Sequence, residues 1–135
     1  MKPLVRNIAA VLVGFIVGSL VNIGLVNMGP LIVPLPEGAD VSDMESLRES
    51  MQLFTPANFV FPFLGHAFGT LSGAFLAARL SVNHHMIFAI CIGLLFLAGG
   101  ISMVVMMGGP LWFICCDLLF AYIPMGYLGA KLAGK

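Results

Sequence analysis

Four long apolar runs decide what this chain can be. They cover about Ile8–Met28, Phe59–Leu80, Met86–Met107 and Leu111–Leu132, each about 21 residues and so long enough for ~30 Å of helix. Backbone polar groups in lipid must pair within the segment, so such runs become helices. The chain is 60% hydrophobic and 9% charged, against roughly 25% charged in a soluble domain, and lipid is therefore its main solvent. The expected fold is an all-α, up-down bundle of four transmembrane helices, forming a single membrane domain over residues 1–135. Lys2 and Arg6 precede the first run, but the run is long for a signal peptide and no small-residue cleavage site follows it, so it reads as a retained span.

Charge gives the chain a direction. Five of the six basic residues (Lys2, Arg6, Arg79, Lys131, Lys135) lie at the two ends or beside the second connection. Five of the six acids (Glu37, Asp40, Asp43, Glu45, Glu49) crowd into residues 37–49 with Arg48. The excess of Lys and Arg predicts cytoplasmic termini and an outward-facing loop over 29–58, in a multi-pass protein of a bacterial inner membrane. Trp112 with Phe54, Phe59, Phe61 and Phe63 forms the expected outer aromatic belt, and Tyr127 lies nearer the inner interface.

Local signals mark the connections. Met107-Gly108-Gly109-Pro110 predicts a tight reversal with Pro110 in the first turn of the next helix. Pro30, Pro34 and Pro36 make the start of the long loop extended. Ser42 and Glu45 are spaced as a capping box, and Met44, Leu47, Met51 and Phe54 follow at helical intervals. These residues predict a short amphipathic surface helix over 43–54.

Small residues mark the packing faces. The second span carries Gly65, Gly69, Gly73 and Ala77, one every fourth position, and the first carries Gly14 and Gly18. Lipid supplies no hydrophobic force between helices, so small residues that let backbones approach are a main route to packing. In the fourth span Gly126, Gly129, Ala130 and Ala133 form another such face. At 100° per residue Gly126 lies about 180° from Asp117, which predicts an outward face for a second copy or another membrane subunit.

Ionisable groups inside spans are costly, face inward and pair. Two occur here, His66 and Asp117, and each is about 10 Å below the loop-side interface by residue count. Asn22 lies at the same depth in the first span, and Ser102 is near it in the third. The expectation is a buried cluster of Asn22, His66, Asp117 and Ser102 in which Asp117 accepts a hydrogen bond from His66. A polar clasp that fixes register and a proton- or ion-responsive site are its two readings.

No catalytic set or metal centre is assigned. Met103, Met106 and Met107 share a region with Cys115 and Cys116, but methionine is an ordinary gap filler and adjacent cysteines point 100° apart. His84 and His85 lack a third ligand. Zero net charge gives no case for nucleic acid, and no motif points to a cofactor. The first expectation for function is a small non-enzymatic component of the bilayer that self-associates or serves a larger complex as an accessory subunit. The alternatives are a proton- or cation-linked transporter or channel using His66 and Asp117, and an enzyme acting on a lipid or quinone at the outer leaflet.

Overall fold

The computed structural model describes residues 1–135 and is all-helical. In chain order the helices are α1 (Pro3–Ile32), α2 (Met44–Ser50), α3 (Val60–Leu80), α4 (His85–Met107), α5 (Leu111–Phe120) and α6 (Ile123–Leu132). Short 3-10 turns over Met51–Leu53 and Pro56–Phe59 join α2 to α3. Four segments are long and apolar enough to cross a bilayer: α1, the 3-10 turn with α3, α4, and α5 with α6. The chain is thus a multi-pass membrane protein. Helix α1 exceeds its expected span at both ends, and its 30 residues run about 45 Å.

Helix α3 is the centre of the bundle, with α1 on one side and α4 and α6 on the other. The α1–α3 seam is built from backbone. A Cβ on Gly14 would strike the Gly73 carbonyl, one on Gly18 would lie 2.5 Å from the Gly69 carbonyl, and one on Gly65 would lie 2.8 Å from Asn22 Oδ1. The partners rise by four on α1 and fall by four on α3, the register of an antiparallel pair. Ala77 is fully buried beside Gly14. Gly24 meets nothing within 4 Å and lies outside the seam.

Polar contacts close the end of the bundle that carries both termini. The Asn7 amide donates to Asn83 Oδ1 at 2.8 Å and accepts from the Val82 N–H at 2.8 Å. Arg6 Nε donates to the Leu80 carbonyl at 3.0 Å, and Arg79 reaches the Ala133 carbonyl at 3.4 Å. The reversal into α5 uses Gly108 and Gly109 at φ 70° and 131°, a region glycine enters without steric cost. Pro110 is one residue outside α5, as its cap, so the expected first-turn position shifts by one.

The loop helix is shorter than expected and capped differently. Asp43, not Ser42, is its N-cap: Asp43 Oδ1 accepts from the Ser46 N–H at 2.8 Å. The Ser42 N–H instead donates to Asp40 Oδ1 at 2.9 Å, which removes Ser42 from the cap. Ser42, through its hydroxyl and backbone N–H, holds the Asp40 carboxyl below the usual carboxylate range. Thr55 and Asn58 form a reciprocal capping box at the 3-10 turn leading into α3.

The fourth span is not continuous. Pro124 has no N–H for the Phe120 carbonyl, and Tyr122 departs from helical geometry at φ −118°, ψ −79°. This break overturns the outward small-residue face. Gly126, Gly129, Ala130 and Ala133 are all buried within the protein. A Cβ on Gly129 would lie 2.8 Å from the Leu71 carbonyl of α3, and one on Gly126 would lie 3.2 Å from the Ala89 carbonyl of α4. A constant 100° per residue cannot be carried through a proline break, so the face turns inward.

Gly69→Leu forces α1 and α3 apart and is expected to cost about 1–3 kcal/mol or more, because the obstructing atoms are backbone. Gly24→Leu, with open space around it, is expected to be near neutral. Thermal unfolding of the two variants in detergent distinguishes them, and equal melting temperatures would contradict the seam.

Candidate functional site

Asp117 lies in α5 with its side chain only 5% exposed, and both carboxylate oxygens are engaged. His66 Nδ1 of α3 lies 2.7 Å from Oδ1. The Tyr122 hydroxyl donates to Oδ2 at 2.8 Å. The His66 and Tyr122 rings stack with centroids 5.9 Å apart, so the three groups form one unit.

The helix break is what makes the unit possible. Asp117 and Tyr122 are five residues apart, which in a regular helix separates side chains by about 140°. The kink at Ala121–Tyr122 turns the fully buried phenol back to the carboxylate. Gly100 of α4 supplies the room, since a Cβ there would lie 2.5 Å from the Tyr122 hydroxyl oxygen. Thr70 Oγ1 donates to the His66 carbonyl at 2.7 Å, one turn along α3.

The other two expected members stand apart. Asn22 makes no hydrogen bond to His66 or Asp117 and packs against Gly65 and Gly69 at the α1 seam. His66 follows Gly65 directly, so it points about 100° away from that seam, toward α5. Asn22 Oδ1 is sealed and without a partner. Ser102 is exposed and donates to the Ala98 carbonyl at 2.8 Å, because two positions past Gly100 is about 200° around α4. Tyr122 and Gly100 are the members that sequence reasoning missed. Pro124 was the available signal, since a proline inside an apolar span marks a break that can re-aim the residues before it.

A cavity of about 370 Å³ opens above the dyad, between the loop-side ends of α1, α3, α4 and α5. Leu47, Met51 and Phe54 of the loop help enclose it, and His66, Asp117 and Gly100 lie deepest along their helices. Its lining is chiefly apolar, with Phe59, Phe61 and Phe113 among the side chains. Phe59 packs against Phe113 in a tilted pair at 4.7 Å and meets Trp112 edge-on at 5.6 Å, which ties the wall together. Met103 and Met107 also face it, whereas Met106, Cys115 and Cys116 are exposed elsewhere. The methionines and cysteines therefore do not converge on one point. On the far side of the dyad the core is closed by Ala74, Ala77, Ile92 and Tyr122, each at most 1% exposed.

No family model matches this sequence, and no curated protein or solved structure matches it.

A double-mutant cycle on His66→Ala and Asp117→Ala is expected to give a coupling of about 0.6–2 kcal/mol, the range for interhelical hydrogen bonds in bilayers. Tyr122→Phe leaves Oδ2 of Asp117 without its donor and is expected to cost about 1–3 kcal/mol. Reversible unfolding in mixed micelles measures both, and zero coupling would remove the dyad as an energetic unit.

Proposed function

We propose that this small membrane protein binds a lipophilic ligand with a polar head, held in the cavity beneath the loop helix with its head at His66. The observation that carries this reading is the coincidence of the cavity with the interhelical ionisable pair. A clasp that served only to fix helix register needs no open space beside it. Here a ring that is 23% exposed in its side chain lines an apolar chamber of ligand size. An intramembrane ionisable group beside a cavity is a functional site by default.

The same geometry weighs against the other readings. Ion conduction requires a polar path to the opposite side, and beyond Tyr122 the core is closed chiefly by the fully buried Ala74, Ala77, Ala78, Ala89 and Ile92. Support for an accessory or self-associating role came from the fourth-span small-residue face, and that face is spent inside the protomer. The site on the loop side fits the remaining alternative, a lipid or quinone at one leaflet, in its binding part. With the loop side outward, as the distribution of Lys and Arg indicates, the ligand enters from the outer leaflet.

Filling the chamber tests this. Val104 of α4 lines the cavity away from the dyad, and Val104→Trp should displace the ligand while leaving His66 and Asp117 paired. Solvent extraction and mass spectrometry of protein purified from native membranes should find a lipophile in stoichiometric amount with the wild type and much less with the variant. Identical extracts from two equally folded proteins would contradict the proposal.

A further inference from the structure

The hydrogen-bond arrangement at the cavity floor limits the chemistry of the head it accepts. An ionised carboxylate only accepts hydrogen bonds. With Asp117 ionised and His66 neutral, Tyr122 donates to one carboxylate oxygen and His66 Nδ1, 2.7 Å from the other, is the second donor. In a neutral imidazole with hydrogen on Nδ1, Nε2 is a bare acceptor. Nε2 has no hydrogen-bond partner in the protein, and it is not sealed, because the sole sealed and unpartnered side-chain polar atom is Asn22 Oδ1. His66 lines the chamber, and Nε2 is its one ring nitrogen without a partner.

Charge and shape narrow the class further. No Lys or Arg lines the cavity, so a phosphate or carboxylate head would be buried without a counter-charge, at a cost of several kcal/mol. A cationic head gains little contact either, since the Asp117 side chain is only 5% exposed and each of its oxygens already faces a donor. Of the two lining amides, Asn58 of the loop is committed to Pro34 and Thr55, and Asn27 of α1 is exposed. Phe54, Phe59, Phe61 and Phe113 supply aromatic walls, which favour a flat ring.

We infer that the ligand is a neutral lipophile bearing an aromatic hydroxyl, of the phenol or hydroquinone class, whose O–H donates to His66 Nε2. This rests on the binding reading above and adds the identity of the head. Asp117 and Tyr122 act as positioning residues that fix the imidazole tautomer and ring orientation. His66 is the recognition residue.

Matched probes separate the two claims. The protein's single tryptophan, Trp112, packs on the cavity wall and reports occupancy by fluorescence. In nanodiscs, para-octylphenol is expected to bind about tenfold more tightly than para-octylanisole, its methyl ether, the worth of one hydrogen bond to a preorganised acceptor. Decanol, with a hydroxyl but no ring, is expected to fall below the phenol. In His66→Phe the phenol and the ether should bind alike. Equal affinity of phenol and ether for the wild type overturns the hydroxyl assignment while leaving the cavity reading intact. Decanol binding as tightly as the phenol overturns the aromatic assignment. A preference for the phenol that survives in His66→Phe overturns the role of that residue, and failure of all three probes to bind the wild type overturns the cavity reading as well. The wild-type comparison stands without the variant, so instability of His66→Phe does not spare the inference.

Discussion

A carboxylate inside a bilayer has to find its donors within the protein, and the demand of Asp117 organises much of this molecule. Lipid offers no donors at that depth, so an oxygen left unpaired against it would cost several kcal/mol. One donor comes from another helix, His66 of α3, and one from the same span after a break, Tyr122. Each solution has its own requirement. The first ties α5 to the centre of the bundle. The second needs Pro124 to interrupt the span and Gly100 to make room for the phenol. The break then rotates α6, so that Gly129 meets the backbone of α3 and Gly126 that of α4.

The distribution of small and large residues explains why the cavity lies where it does. Toward the end with the termini, Gly14, Gly73, Ala74, Ala77, Ala78, Gly129, Ala130 and Ala133 allow helices to meet at close backbone distance. Toward the loop end, α4 presents Met103, Val104 and Met107, and Phe59 of the 3-10 turn precedes Phe61 and Pro62 of α3. Bulkier side chains hold the helices farther apart. The loop spans the resulting gap, with apolar side chains of its amphipathic helix toward the cavity and its acids elsewhere. A tight half therefore anchors the bundle, and a looser half has room for a ligand. Their boundary is the layer of His66, Asp117 and Tyr122.

Asn22 shows the cost of this arrangement. Its depth matches that of the dyad, yet its side chain serves the α1–α3 seam, where it takes the place that glycines hold at the next two levels. Its Oδ1 is left without a donor. Close helix approach and complete polar satisfaction compete at that position, and the approach prevails because it fixes the antiparallel register along the whole seam.

How much of this was legible in the residues themselves differs by level. Four apolar runs of bilayer length, the two glycine stripes and the need of Asp117 for an interhelical partner follow from solvent chemistry and helical period, which are local properties of the sequence. The pairing of Gly14 with Gly73 and of Gly18 with Gly69 is a small extension of the same logic. Tertiary structure alone decided which groups at one depth share an azimuth. Asn22 and Ser102 have the right depth and the wrong direction, whereas Tyr122 has the wrong phase for a regular helix and reaches Asp117 through a kink. Depth accumulates as a simple count along the chain, but direction is lost at each irregular backbone step, and here one proline-linked break settled both the site and the face that closes the bundle.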